Sequence, residues 1–102
     1  QPLRRIHALS VDASTLTRAG GGDAFRLTLT INNRDDLPLS MPWVDLTLSD
    51  ASGLLVARRA LAPADFRVEQ PIIGAGSEVQ LQLVLSAGNP RVTGYTVELF
   101  YP

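Results

Sequence analysis

Apolar residues recur at every second position in several stretches of this chain, a period that marks a half-buried β-strand. Phe25, Leu27, Leu29 and Ile31 alternate with Arg26, Thr28, Thr30 and Asn32. Val44, Leu46 and Leu48 alternate with Asp45, Thr47 and Ser49. Val79, Leu81, Leu83 and Leu85 alternate with Gln80, Gln82, Val84 and Ser86, and Tyr95, Val97, Leu99 and Tyr101 alternate with Thr96, Glu98 and Phe100. Weaker segments at Ile6–Leu16 (broken near Asp12), Leu54–Arg59 and Arg67–Ile73 complete the set. Glycine-rich and Asp/Asn-bearing turns separate them at Gly20–Asp23, Asp50–Gly53, Gly74–Ser77 and Gly88–Pro90. Short strands punctuated in this way predict an all-β fold, an immunoglobulin-like antiparallel β-sandwich of about seven strands.

The pattern also predicts a core: Phe25, Leu27, Leu29, Ile31, Val44, Leu46, Leu48, Val79, Leu81, Leu83, Val97 and Leu99. Parity is ambiguous in Leu54–Arg59. Placing Leu54 and Val56 inward brings Arg58 in, placing Leu55 and Ala57 inward brings Arg59 in, and a bulge would resolve the conflict. No segment carries a sustained helical stripe, although Ala60–Phe66 has room for one helical turn with Pro63 at an early position.

Composition narrows the chemistry. The chain of 102 residues is the size of one domain, 1–102, with 45% hydrophobic and 19% charged residues. A formal net charge of −1 lacks the basic excess of a nucleic-acid binder, and the aromatics do not cluster with basic residues. There is no cysteine and one histidine, so thiol chemistry and multi-histidine metal clusters are excluded within these residues. All nine basic side chains are arginine. No apolar run approaches the roughly 18 residues of a membrane span. The chain opens on Gln1-Pro2-Leu3-Arg4-Arg5, which reads as a linker, so the domain is expected to be a piece of a longer protein.

Catalytic motifs fail one by one. His7 has Ser10 and Asp12 nearby, but neighbours along a strand do not assemble a triad. Gly74-Ala75-Gly76 leads into a strand, not the helix of a dinucleotide fingerprint, and Gly20-Gly21-Gly22 lacks the Lys-Ser/Thr of a P-loop. Asp35-Asp36 lacks a calcium-loop pattern, and a solvated loop capped by its own Asn and Asp side chains accounts for it. No catalytic, metal or cofactor residue is assigned, and no cofactor is expected.

Trp43 and Phe100 stand apart, because parity puts both on the outer side of their strands. Either each folds over the rim of the core at a strand end, or each is an exposed contact for a partner. Unpaired edge strands offer a second contact, through strand addition. Ile6–Leu16 and Arg67–Ile73 are the expected edges, the second marked by Pro71 and centred on Val68, and Arg67, Glu69 and Pro71 would blunt it.

The stretch Leu37–Asp50 running into Gly53–Arg59, with Pro63-Ala64-Asp65-Phe66 and the closing Gly94–Pro102, resembles the C-terminal domain of unknown function of zinc-ribbon membrane proteins from Gram-negative bacteria. The resemblance spans nearly the whole chain and rests on framework positions: Asn32, Pro42, Asp50, Gly53 and the terminal Phe-Tyr-Pro. Trp43 departs from the pattern, which usually has a smaller residue there. The resemblance implies a zinc ribbon and one membrane helix elsewhere in the parent protein, with residues 1–5 leading from the membrane and the domain in the periplasm. No metal ligand carries over.

The expected function is therefore a non-catalytic interaction or structural module, with Trp43, Phe100 and Val68 as contacts to an unknown protein partner or to a second copy through an edge strand. A ligand or carbohydrate binder using Trp43 and acidic loop residues is the alternative. A hydrolase would require His7 within hydrogen-bond reach of a Ser or Asp.

Overall fold

Alternation in the sequence becomes strand in the structure, a computed structural model describing residues 3–68 and 70–102. The strands are β1 (Leu9–Arg18), β2 (Ala24–Asn33), β3 (Leu39–Ser40), β4 (Trp43–Ser49), β5 (Leu55–Leu61), β6 (Ile72–Ile73), β7 (Glu78–Ser86) and β8 (Gly94–Phe100). They form an antiparallel sandwich of two three-stranded sheets, β1-β2-β7 and β5-β4-β8, with β3 and β6 as a small separate pair. Each expected strand has a counterpart, and β3 is the addition. Short 3-10 turns at Ile6–Ala8 and Pro63–Phe66 are the only helical elements among the described residues.

Two bulges explain where the period-2 pattern weakens. In β1 the register passes from Val11 opposite Ile31 to Ala13 opposite Thr30, leaving Asp12 as the extra residue. That extra residue flips parity. Leu9 and Val11 before it, and Ser14 and Leu16 after it, therefore lie opposite inward-facing residues of β2. In β5 the register passes from Ala57 opposite Leu48 to Leu55 opposite Ser49, so Val56 is the bulge. Ala57 and Leu61 point inward and are buried, while Leu55 turns out to solvent. Arg59 lies opposite Leu46 but remains exposed.

Eight of the twelve expected core residues are buried: Phe25, Leu27, Leu29, Ile31, Val44, Leu46, Leu48 and Leu81. Val79, Leu83, Val97 and Leu99 pack against them half-buried. Leu39 of β3, Ile73 of β6, Phe66 of the second 3-10 turn and Met41 add to the core from outside the two main sheets. At the β4–β5 turn the Asp50 carboxylate accepts hydrogen bonds from the Ser52 and Leu54 amides at 2.9 and 3.0 Å, and Gly53 takes φ +83°. A left-handed conformation there favours glycine.

Three expectations are corrected. The segment Arg67–Ile73 is a strand only at Ile72–Ile73. Arg67 adopts the left-handed conformation that ends the 3-10 turn, which breaks the extended run. Val68 consequently lies in irregular backbone and packs against the core, so it is not an edge-strand contact; Glu69 lies outside the described residues. His7 sits in a 3-10 turn and not in a strand. Finally, of the expected linker, Gln1 and Pro2 lie outside the described residues, but Leu3–Arg5 are docked. Leu3 bridges Leu39, Arg4 donates to the Pro102 carbonyl at 3.1 Å and stacks over Tyr101, and Arg5 pairs with Asp35 at 3.2 Å.

Candidate functional site

Because Val44, Leu46 and Leu48 fill the core, β4 must turn Trp43, Asp45 and Thr47 to the opposite face. The same reasoning turns Thr96, Glu98 and Phe100 of β8 outward. The β4–β8 register then sets Trp43 opposite Phe100, Asp45 opposite Glu98 and Thr47 opposite Thr96. The Trp43 and Phe100 rings meet with centroids 6.1 Å apart and planes tilted by 54°, a favourable aromatic geometry. Both rings are half-buried.

On the other side of β4, Ala60 lies opposite Asp45. Its small side chain leaves room beneath the neighbouring groups. The result is an open recess of about 540 Å³ lined by Asp45, Arg58, Ala60, Glu98 and Phe100. Arg58 Nε donates to both Asp45 carboxylate oxygens, at 3.0 and 3.2 Å, and Nη2 donates to Oδ2 as well. This hydrogen bonding, aided by the positive charge, holds the Asp45 carboxyl below the usual carboxylate range. The guanidinium is raised in turn, chiefly by Asp45 and in smaller part by Glu98. Cross-strand carboxylates would repel if left alone; here one guanidinium serves both.

The site therefore offers an aromatic wall, a fixed planar cation and two acids on a rigid sheet. Its recess lining contains no His, Cys or Ser. Such groups are suited to stacking, hydrogen bonding and ion pairing.

Of the residues singled out from the sequence, the fold brings Trp43 and Phe100 together and leaves Val68 elsewhere. His7 is exposed in the 3-10 turn, and no side-chain hydrogen bond joins it to a Ser or Asp among the described residues. Ser10 does bond Asp12, at 2.8 Å, but within a bulge cluster shared with Asn32 and Arg34. There the Ser10 hydroxyl and the Asn32 amide are the main groups lowering the Asp12 pKa.

The Asp35-Asp36 loop is tied down, as its capping residues suggest, but it is not simply solvated. Asn33 beside it is wholly buried. Its amide donates to the Leu37, Ile73 and Gly74 carbonyls at 3.0, 3.0 and 3.1 Å, and its oxygen accepts the Asp35 amide at 2.8 Å. No cluster of three or more acidic or histidine side chains suited to a metal exists among the described residues.

Sequence reasoning missed Asn33, Asp45 and Arg58. The signal for Asp45 was its alternation with Val44 and Leu46. Arg58 was hidden by the β5 bulge.

The model of a family of proteins of unknown function, DUF3426, matches residues 6–99. The chain belongs to this family. The crystal structure of a DUF1425 family member from Shewanella sp. pv-4 resembles this DUF3426 domain with a TM-score of 0.61 at 14% identity, over 92% of this chain and 78% of that one. At that identity the likeness shows a shared β fold. No curated protein matches the chain. The match of DUF3426 takes in Trp43, Asp45, Arg58 and Glu98 but stops one residue short of Phe100.

Proposed function

We propose that this DUF3426 domain is a non-catalytic protein-interaction module whose contact surface is the outer face of β4 and β8 around Trp43. The observation that carries the reading is the pairing of Trp43 with Phe100 beside the Arg58–Asp45 bridge on an exposed sheet face. Tryptophan and arginine are the residues that most often dominate interface energetics. The resemblance to zinc-ribbon membrane proteins of Gram-negative bacteria adds the setting: a membrane-anchored parent holding the domain on the periplasmic side.

A ligand or carbohydrate binder is the second reading. It draws on a tryptophan beside carboxylates, but those are the strand residues Asp45 and Glu98 and not the loop acids, since Asp35 is engaged by Arg5.

The test is capture from cell envelopes with the full-length parent, followed by titration of the purified partner. Trp43 is the only tryptophan, so its fluorescence reports on this face alone. Trp43→Ala should weaken the partner by roughly thirty-fold, about 2 kcal/mol, as for an interface hot spot. Val68→Ala should leave affinity unchanged. A partner that binds Trp43→Ala and Phe100→Ala as tightly as the wild type, or a fluorescence response to sugars and not to protein, overturns the reading. An alkaline phosphatase fused after Pro102 of the parent should be active, because that enzyme matures only after export.

A further inference from the structure

Both sheets of the sandwich end in open edges, and an open edge recruits another strand unless something blunts it. The edges of this molecule are not treated alike. β1 carries the Asp12 bulge, surrounded by Ser10, Asn32 and Arg34. β5 carries the Val56 bulge and two exposed arginines, Arg58 and Arg59. β7 has the 3-10 turn Pro63–Phe66 packed against it. β8 carries no bulge and no arginine, and the element that approaches it is β1, where Ser14 Oγ and the Tyr95 hydroxyl lie 3.0 Å apart. β8 pairs with β4 in unbroken register over all 7 of its residues, and its sequence GYTVELF holds no proline, no basic residue and a single charge, Glu98. Its one backbone-paired neighbour among the described residues is β4. Along the open side runs a shallow recess of about 530 Å³ lined by Ile6, Leu9, Val11, Val97 and Leu99, with His7 and Glu98 at the rim. Val97 and Leu99 are core-facing yet only half-buried.

We infer that β8 is a self-association edge: two copies of this chain join β8 to β8 in antiparallel register, symmetric about Val97, making one continuous six-stranded sheet. The sequence is complementary to itself in that register. Val97 meets Val97, and Tyr95 meets Leu99 on the inner side, where the second copy covers the recess and the half-exposed Val97 and Leu99. On the outer side Thr96 meets Glu98, hydroxyl to carboxylate, so no like charges are directly opposed. Phe100 meets Gly94, and an aromatic across from a strand glycine is a recurrent stabilising pair. A Cβ at Gly94 would lie 2.8 Å from Ser49 Oγ, so a side chain there requires that hydroxyl to turn away. This inference does not rest on the Trp43 contact.

Sedimentation equilibrium of the chain should show a concentration-dependent dimer. Thr96 and Glu98 are both exposed, so substitutions there leave the core intact. Thr96→Glu sets two carboxylates against each other twice over and should weaken the dimer roughly tenfold at low salt. Adding Glu98→Lys to Thr96→Glu restores opposite charges in this register alone, and dimerisation should return. In the wild type, amide exchange along β8 should slow as concentration rises. A chain that stays monomeric at about 1 mM, a dimer indifferent to Thr96→Glu, a charge swap without rescue, or β8 exchange independent of concentration each overturns the proposal. Trp43→Ala should leave the dimer intact while losing the envelope partner, so the two readings fail independently although Phe100 and Glu98 border both surfaces.

Discussion

The loop after β2 and the outer face of β4 use the same chemical pair, an aspartate against an arginine, to different ends. In the loop, Asp35 is almost covered, with 9% of its side chain exposed, and its oxygens are spent on Arg5 and the Leu37 amide. Asn33 behind it has every hydrogen-bonding atom of its side chain used. On the sheet face, Asp45 is 17% exposed and holds Arg58, whose side chain is 67% exposed against 55% for Arg5 in the loop. The first arrangement closes inward and fixes where the loop, β6 and the N-terminal arm lie. The second spends both Asp45 oxygens on Arg58 and leaves that cation presented outward on a rigid frame. Polar side chains with no capacity left to offer belong to the fold, while those held in place but still open are the ones available to a partner.

The sharpest way to break this contrast is at Asn33. Asn33→Ala removes the donor shared by three carbonyls and the acceptor for the Asp35 amide inside a buried shell. At about 1 kcal/mol per lost bond, the expected destabilisation is roughly 4 kcal/mol. Asn33→Asp keeps the shape but turns an oxygen toward carbonyl oxygens, so it should be no better than alanine. Urea denaturation measures both. A change under about 0.5 kcal/mol for either variant would match a surface site and would mean that the loop does not depend on this network.

A smaller effect is expected from Trp43→Ala. The ring contact with Phe100 is half-exposed, so its removal should cost about 1 kcal/mol of stability, with an unchanged far-ultraviolet spectrum. That loss is much smaller than the effect expected on partner affinity. A cost above about 3 kcal/mol, as for a buried aromatic, would make Trp43 a core residue and erase the distinction between the two regions.

The difference between these regions was only partly legible in the sequence. Strand parity is local, so Val44, Leu46 and Leu48 were enough to put Trp43 and Asp45 outside, and Val97 and Leu99 enough to do so for Phe100. That Trp43 and Phe100 touch depends on a pairing 57 positions apart in the chain, set by the β4–β8 register, which no local pattern encodes. The bulges hid more. One extra residue at Val56 put two arginines in competition for the inner face, and only the structure shows Arg58 going out to Asp45. Near Asp12 the failing alternation was itself the signal, and the bulge stands there. Asn33 was illegible for another reason. An asparagine that caps a solvated turn and one that anchors a buried one look alike in sequence, and what buries this one is β6, 40 residues away.

Acid offers the finest discrimination. The Asp50 carboxyl is held below its ordinary range, first by the Ser52 hydroxyl and then by the Leu54 amide, and Asp45 is held low by Arg58. A carboxyl whose folded pKa lies below its unfolded value of about 3.9 contributes its stability in full above that pH and loses it as the pH falls further. Melting temperature should therefore be flat between about pH 7 and 5 and decline below about pH 4. Asn at position 50 still accepts from the turn amides but does not titrate, so Asp50→Asn should flatten this acid limb. Asp45→Asn should flatten it less, because what Asp45 holds is an exposed side chain. Partner affinity should show the reverse order, with Asp45→Asn losing binding at neutral pH and Asp50→Asn keeping it. If Asp45→Asn instead removes as much of the acid limb as Asp50→Asn while leaving affinity untouched, the Arg58–Asp45 pair is a fold element like Asp35–Arg5, and the contact surface must be sought in the aromatic pair alone.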